Sequence, residues 1–333
     1  MPYNIPVLNE LVKEGFDITV VSRNKRRKSS YVIPDVEGIV FLDEDDFNKH
    51  SLLELAKEID PVMMFVCDWS VKKYNRCALY ARRELKIPVV VGSDTQWMGG
   101  KQWLNVFTSM VRHQQYFSHM LVAGMRQFEY GKKLGFRNEQ ILTHLYSADV
   151  DKFQKRALPE IGSCNRNFLF VGRFVKDKSV DLLIEAWRAI EDKKGATLTL
   201  VGEGPLKESI EETDGIILKD FMSQDELLEL AEKSCCFILP SRFEPWALVL
   251  HEFAAAGLPI IASTACGATP YFVVSGYNGY TIEPGSVKEI KDKIEKVIGL
   301  ESTKLAEFSE RSRKLSRKIE PAMVAKSLIS VLE

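Results

Sequence analysis

The sequence predicts an α/β fold made of two doubly wound domains, and three observations support this prediction. Short apolar runs alternate with segments of helical period along nearly the whole chain, a pattern typical of parallel βαβ units. The chain has 333 residues, which exceeds the size at which a single hydrophobic core usually stops growing. A polar segment separates two sets of such units, so we predict a first domain at 1–152, a linker at 153–166 and a second domain at 167–333.

The first predicted domain has five candidate strands, and helical segments with apolar residues three and four positions apart lie between them. A helix at 2–14 comes before the first candidate strand. A doubly wound domain normally opens with a strand, so we expect this domain to lack its first strand. The candidate strands lie at 17–21, 38–42, 62–66, 88–92 and 119–123, and we expect them to form one sheet.

The second predicted domain repeats the scheme with six candidate strands. Three charged amphipathic segments from Val287 onward close the chain, and the last of them is a candidate for packing back on the first domain. The candidate strands lie at 167–172, 196–202, 215–218, 235–240, 258–263 and 278–282.

Composition narrows the classes of function. The net charge of -1 gives no reason to expect a nucleic-acid partner. Six cysteines are scattered without a CxxC pair, and no signal peptide is visible, so we expect reduced thiols and a cytoplasmic location. No apolar run approaches the roughly 18 residues of a spanning helix, which leaves peripheral contact as the only expected relation to a membrane.

Two glutamates stand eight residues apart in SRFEPWALVLHEFAAAGLPIIAS, residues 241–263. Glu244 follows a candidate strand, and Glu252 lies in the apolar helix that comes next. An unpaired buried carboxylate costs several kcal/mol, so Glu252 must reach water, a partner or a ligand. The backbone amides of residues 246–249 belong to a helix start, which favours a phosphate. The arrangement suits a sugar nucleotide, although a solvated helix face and a loop glutamate fit the spacing equally well.

Two further loops follow candidate strands in the same half. Arg173 and Lys178 flank the loop after 167–172, where two cations could neutralise a diphosphate leaving group. Solvated cations are the more common explanation for such a pair taken alone. Gly202 ends the candidate strand at 196–202 and Gly204 follows it; both permit close backbone approach, which a tight turn also explains.

In this order and spacing, VGRFVKDKSVDLLIEAW, LVGEGPL and PSRFEPWALVLHEFAAAGLPIIAS resemble the family 4 glycosyltransferases of the GT-B fold, also called glycosyl transferases group 1, of the bacterial polysaccharide or lipopolysaccharide type. The resemblance covers about residues 168–284 and is looser in the first half. It implies two Rossmann-like domains facing a cleft. It also implies transfer of a sugar, with retention of configuration, from a UDP- or GDP-sugar to a glycan or lipid-linked acceptor. No metal or other cofactor is implied.

The resemblance also implies roles for single residues. Arg173 and Lys178 would hold the donor phosphates, and Glu244 would bind the transferred sugar. Glu252 would bind the ribose. The departing diphosphate would take the acceptor's proton, with Asp94 as the candidate for positioning. The other donor-binding candidates are Gly172, Gly202 and the helix-start residues Trp246, Ala247, Leu248 and Val249.

The chain departs from the family pattern at several of these positions. Ser179 stands where the family usually has glycine after the lysine, and Trp246-Ala247 replaces an aromatic-glycine pair, which would narrow the sugar pocket. Asp94 or Ser93 stands where many members have a histidine. The expected absence of a first strand would also remove a loop that faces the donor phosphates.

Two other functions remain open. A nucleotide-sugar 2-epimerase on the same fold would need acid and base carboxylates on the first domain near the sugar. Asp94 is the one candidate that the sequence offers there. A nucleotide-sugar-binding protein without catalysis fits the absent strand. Both differ from a transferase in what happens to a bound sugar nucleotide.

Three other segments have two interpretations each. DEDD at 43–46 contains a DxD that suits a metal-dependent GT-A enzyme, but acidic residues in a first helical turn are the better explanation. RNKRRK at 23–28 is either a solvated loop or a contact with an anionic membrane. WMGGKQW at 97–103 is an acceptor loop or a helix that packs on the core.

Overall fold

The computed structural model describes residues 4–22, 36–67, 69–155, 166–210 and 214–333. The chain divides into two compact units, one formed by 1–147 with 321–333 and the other by 148–320. The predicted linker falls mainly on residues 156–165, which lie outside the described residues. Every strand pair described is parallel, so the predicted α/β class is confirmed.

The first unit begins, in its described part, with a helix and then alternates strands and helices. All five predicted strands are confirmed, and a sixth, only three residues long, was not predicted. The elements are α1 (Ile5–Lys13), β1 (Ile18–Ser22), β2 (Ile39–Asp43), α2 (Ser51–Ile59), β3 (Met64–Val66), α3 (Lys72–Tyr80, followed by a π-helical turn to Leu85), β4 (Val89–Ser93), α4 (Gln102–Tyr116), β5 (His119–Val122), α5 (Met125–Lys133) and β6 (Ile141–Thr143).

The strands of this unit form two sheets, and the prediction of a single sheet is wrong for the described residues. One sheet pairs β1 with β2, and the other has the order β3-β4-β5-β6. In the doubly wound order 3-2-1-4-5-6, the opening strand stands in the middle and joins the two halves. The first described element here is α1, so no described strand occupies that middle position.

The core of the first unit lies around the four-stranded sheet. The central strands β4 and β5 are buried almost throughout, as expected for parallel strands covered on both faces. Phe117, Tyr130 and Phe136 fill the space beside them and are 2% exposed or less.

The second unit contains one six-stranded sheet, and its six predicted strands are all confirmed. Its elements are α6 (Val150–Gln154), β7 (Asn167–Val171), α7 (Val180–Arg188), β8 (Thr197–Val201), β9 (Ile216–Lys219), α8 (Gln224–Glu232), β10 (Cys236–Leu239), α9 (Leu248–Ala256), β11 (Ile260–Ser263), α10 (Thr269–Phe272), β12 (Gly279–Ile282), α11 (Val287–Ile298) and α12 (Ser302–Ser316). The strand order is β12-β11-β10-β7-β8-β9.

The sequence order of these strands reverses between β7 and β10, which lie side by side with Phe168 opposite Cys236. Open α/β sheets bind ligands at the carboxyl ends of the strands at such a reversal. The loops after β7 and β10 are therefore the expected location of a ligand-binding site.

The predicted C-terminal helices α11 and α12 are confirmed, as is a last helix, α13 (Pro321–Ile329). This last helix belongs to the first unit, where it packs against α1 and β6. Among the helices of the described residues, none is long and apolar enough to cross a bilayer.

Candidate functional site

Backbone contacts bring the loops after β7 and β8 against each other. The Phe174 amide donates to the Glu203 carbonyl at 2.8 Å, and the Leu206 amide donates to the Phe174 carbonyl at 3.1 Å. A Cβ on Gly202 would lie 1.9 Å from the Gly172 carbonyl oxygen. Close packing of two loops thus explains the absence of a side chain at position 202 without a ligand. After Pro205 the described residues form a single 3-10 turn at Lys207–Ser209.

Ion pairs and a backbone hydrogen bond connect the loop after β10 to the loop after β7. The Arg242 amide donates to the Asp177 carbonyl at 2.8 Å, and the Arg242 guanidinium contacts both oxygens of Asp181 at 3.2 Å. Lys178 and Glu244 form an ion pair between the two loops. The structure therefore brings together two of the predicted site residues that lie 66 positions apart in the chain.

The Lys178–Glu244 pair is mostly withdrawn from water, with the two side chains 16% and 12% exposed. Burial lowers the pKa of the Lys178 ammonium, and the neighbouring Arg173 lowers it further. Cys266 and Asp177 oppose that change by stabilising the charged form. Arg173 itself is exposed beside this pair, so the site presents cationic charge at the carboxyl end of β7.

Two residues here have a left-handed backbone although neither is glycine. Ser179 has φ 56° at the start of α7, and Ala247 has φ 81° at the start of α9. These are the positions where the resemblance puts glycine, and the backbone supplies the physical reason, because residues with a Cβ are strained there. Serine is a common N-cap residue, and Ser179 lies at the N-cap position of α7. Its buried hydroxyl makes no cap bond, however, and has no hydrogen-bond partner among the residues that the structure describes.

The start of α9 also has no side-chain cap. The indole of Trp246 is 3% exposed and packs against Tyr271 at a ring distance of 5.2 Å, so it lies in the core. Leu248 and Val249 are partly accessible. The first amides of a helix have no intrahelical partner, so this end of α9 offers donors and the positive end of the helix dipole to an anion.

Glu252 lies inside a helix that is buried almost all round, since residues 250–256 are all buried. The side-chain amide of Gln224, at the start of α8, donates to Glu252 Oε1 at 3.0 Å. Burial raises the pKa of Glu252 to about 7, and Gln224 and Lys152 counteract this only in part. A solvated helix face, the alternative interpretation of Glu252, is therefore excluded, since only 8% of the residue is exposed.

His251, the neighbour of Glu252, is a structural residue that the sequence did not reveal. Its Nδ1 accepts a bond from the Ala148 amide at 3.0 Å, and its Nε2 is 2.8 Å from the Ser316 carbonyl, so Nε2 carries the proton. The ring stacks on Phe272 with the centroids 4.2 Å apart. Burial lowers the pKa of His251 to about 4, so the imidazole is neutral at physiological pH.

Asp94 lies in the first unit at the carboxyl end of β4. It contributes, with Cys67, Trp69 and Tyr146, to a cavity of about 330 Å³. The Tyr146 hydroxyl donates to Asp94 Oδ2 at 3.2 Å. The cavity thus combines an aromatic ring with a carboxylate, two groups that suit a sugar or another polyol.

Three segments with two interpretations each, 43–46, 23–28 and 97–103, remain to be compared with the structure. Asp43 accepts a bond from the Asp45 amide at 3.0 Å and caps a 3-10 turn, and Glu44 pairs with Lys73 at 2.8 Å. The acidic-turn interpretation of 43–46 is therefore confirmed. The basic run 23–28 lies outside the described residues. In 97–103 the ring of Trp97 packs on the core, whereas Trp103 is 48% exposed.

Comparisons with known proteins agree with this architecture. The model of the family "Glycosyl transferases group 1" matches residues 151–315. An uncharacterized glycosyltransferase of Methanocaldococcus jannaschii, MJ1178, is 34% identical over 159 residues, which cover 45% of this chain and 43% of that protein. The capsular polysaccharide biosynthesis glycosyltransferase CapM of Staphylococcus aureus is 31% identical over 147 residues, or 41% of this chain and 38% of CapM. The chain thus matches less than half the length of these two curated relatives.

Solved structures extend the likeness to nearly the whole chain. A glycosyltransferase from Rickettsia africae superposes with a TM-score of 0.77 at 11% identity, covering 99% of this chain and 93% of that one. Anabaena HepE, crystallised with UDP, gives a TM-score of 0.71 at 16% identity, with 88% and 85% covered. At these identities the likeness establishes the fold, which is GT-B. The fold of the chain is GT-B, and residues 151–315, which make up most of the second unit, match the family of glycosyl transferases group 1 that the three sequence motifs resemble.

Proposed function

We propose that this protein transfers a sugar from a nucleotide-diphosphate donor to a glycan or lipid-linked acceptor, with retention of configuration and without a metal ion. The observation that carries the proposal is the meeting of charged residues at the reversal of strand order. The Lys178–Glu244 pair, the exposed Arg173 and the uncapped start of α9 all follow β7 or β10. Cations and helix-end amides at one edge of a sheet favour a diphosphate.

The donor is proposed to be a UDP-sugar first and a GDP-sugar second, because HepE has been crystallised with UDP and with UDP-glucose. Its phosphates would lie against Arg173, Lys178 and the first amides of α9. A phosphate would then compete with Glu244 for Lys178. The Glu244 carboxylate, released from the ion pair, would accept hydrogen bonds from hydroxyls of the transferred sugar.

The ribose is proposed to bind Glu252. A carboxylate accepts hydrogen bonds from two hydroxyl groups, and Gln224 already fixes one of its oxygens. With a pKa of about 7, the ligand-free side chain is a mixture of protonated and ionised forms at neutral pH. A vicinal diol stabilises the ionised form because each hydroxyl donates to it.

In the transfer step, the bond between the sugar's anomeric carbon and the diphosphate oxygen breaks while the acceptor hydroxyl bonds to the same face. The cations would stabilise the charge that develops on the diphosphate. The acceptor proton passes to the leaving diphosphate oxygen, so no protein base is required. Asp94 is proposed to orient the acceptor hydroxyl.

The acceptor is proposed to occupy the cavity that contains Asp94, Trp69 and Tyr146 in the first unit. An aromatic ring packs on the apolar face of a sugar, and a carboxylate accepts from its hydroxyls. We propose further that the protein is cytoplasmic. If the acceptor is lipid-linked, residues 23–28 are proposed to contact the membrane.

The test is incubation of the protein with UDP- and GDP-sugars, with the nucleotide and the sugar both followed. The proposal predicts slow release of free nucleotide diphosphate, which an acceptor glycan accelerates. Conversion of the bound sugar into its epimer would instead establish an epimerase. Saturable binding with no chemistry in the presence of any acceptor would establish a binding protein.

A further inference from the structure

Five apolar side chains of α4 point outward, although Val106 and Tyr116 of the same helix pack against the core. The five are between 48% and 78% exposed. At about 100° per residue they fall within an arc of about 120° on one side of the helix. We call these residues the α4 apolar face: Trp103, Leu104, Phe107, Met110 and Val111.

The opposite side of α4 faces the protein and carries Asn105, Ser109 and His113 beside Val106 and Tyr116, so it is more polar than the buried side of an ordinary surface helix. The Ser109 hydroxyl donates to the Leu134 carbonyl at 2.6 Å, and the Asn105 amide donates to the Tyr130 hydroxyl at 3.1 Å. His113 is buried with its ring 4.8 Å from that of Trp69. These contacts fix the rotation of α4, so the outward direction of its apolar face is built into the fold.

The surroundings of the α4 apolar face are cationic. Residues 95–128 include no aspartate and no glutamate, although the chain has 46 acidic residues in all. Lys101, at the N-cap position of α4, and Arg112, about one turn before its end, are exposed. The Lys133 ammonium lies 4.9 Å from the ring centre of Trp97 and 6.0 Å from that of Trp103.

We propose that the α4 apolar face docks on the surface of an anionic lipid bilayer, with the helix lying in the plane of the interface. Apolar and aromatic residues on one side, flanked by Lys and Arg and with no acidic residue between positions 95 and 128, are the features of interfacial helices. Each cation near such a surface strengthens the electrostatic attraction to it. A second copy of the chain fits less well, because a twofold contact would bring like charges at Lys101 and Arg112 together.

The experiment is co-sedimentation of the full chain with vesicles of phosphatidylcholine alone and of phosphatidylcholine mixed with phosphatidylglycerol. The apolar face is tested with the double variant Phe107→Ser, Met110→Ser. Val62→Ser is the matched control, because Val62 is 59% exposed and lies outside α4 in the same unit. The charge is tested with Lys101→Glu, Arg112→Glu, for which the exposed Arg83→Glu is the control.

The proposal predicts binding to the anionic vesicles that weakens as salt is added. The apolar double variant should lose more than about tenfold of the partition coefficient, and the charge variant should lose the preference for anionic lipid. Both controls should bind like the original protein. All the changed side chains are exposed, so thermal midpoints should stay unchanged and report intact folding.

Three results would overturn the proposal. The original protein could fail to sediment with either kind of vesicle, or the apolar double variant could sediment as well as the original. Light scattering could also show a dimer that Phe107→Ser, Met110→Ser converts to a monomer. In that last case the α4 apolar face is an interface between copies of the chain.

Discussion

At the scale of one residue, Glu252 is a carboxyl group that the fold holds buried although burial disfavours its charged form. Its pKa in the folded protein is about 7, against about 4.3 in an unfolded chain. The folded state therefore keeps a proton that the unfolded state has lost between these pH values. Stability contributed by this group falls as pH rises from about 4.3 to 7 and is then constant, a total cost on the order of 3 kcal/mol.

Glu252→Gln should remove this cost. We expect the variant to be more stable than the original protein at pH 8, by up to about 3 kcal/mol, and of similar stability at pH 4. Urea unfolding at the two pH values measures the difference. A variant that is less stable at pH 8 would show that the carboxylate is stabilised by the fold.

Ser179 and Ala247 are the second case of residue-scale strain. A non-glycine residue in the left-handed region costs roughly 1 kcal/mol or more. Ser179→Gly and Ala247→Gly should therefore each raise the free energy of unfolding by about 0.5–1 kcal/mol, measured by urea titration. Ala189→Gly is the control, because Ala189 has φ −77° at the end of α7 and should gain nothing. Equal effects at all three positions would contradict the assignment of strain.

At the scale of elements, α9 organises the second unit. It contacts α6, α8, α10 and α12, and it carries both a buried carboxylate and a buried imidazole. His251 satisfies the Ala148 amide and the Ser316 carbonyl, which belong to the segments before α6 and at the end of α12. These two hydrogen bonds fix the position of α9, and they fix the position of Glu252 on it as well.

His251→Ala should cost about 2–4 kcal/mol of unfolding free energy at pH 7.5, because it leaves two buried backbone groups unpaired and opens a cavity. The folded pKa of about 4 lies below the unfolded value of about 6.5. The stability that the neutral ring provides is thus complete above pH 6.5 and is lost as pH falls towards 4. The deficit of the variant should shrink by about 2 kcal/mol between pH 7.5 and pH 5. A deficit that does not depend on pH would contradict the neutral, buried imidazole.

The sequence predicted most elements because parallel strands covered on both faces appear as continuous apolar runs. It missed β6, where the apolar run contains only Ile141 and Leu142, and it missed α4, five of whose apolar residues face outward. The left-handed backbone at Ser179 and Ala247 is not encoded in any local pattern, although comparison with a glycine-containing motif marked both positions. His251 was missed because its partners are backbone groups, which have no signature in the sequence.

At the scale of the whole molecule, the strand order determines where the candidate site lies. The reversal between β7 and β10 places residues from two distant segments at one edge of the sheet. The sequence could suggest Arg173, Lys178, Glu244 and Glu252 as a set, but only the strand order and the loop contacts bring Lys178 against Glu244.

The central claim is that this edge binds the diphosphate of a nucleotide sugar, and calorimetric titration with UDP tests it most directly. The titration compares the original protein with Arg173→Ala and with Lys176→Ala, an exposed lysine of the same loop. Arg173 is exposed, so its removal should leave folding intact. The account predicts that Arg173→Ala weakens UDP binding by about tenfold or more, whereas Lys176→Ala changes it less than about twofold. Equal affinities for all three proteins would contradict the claim.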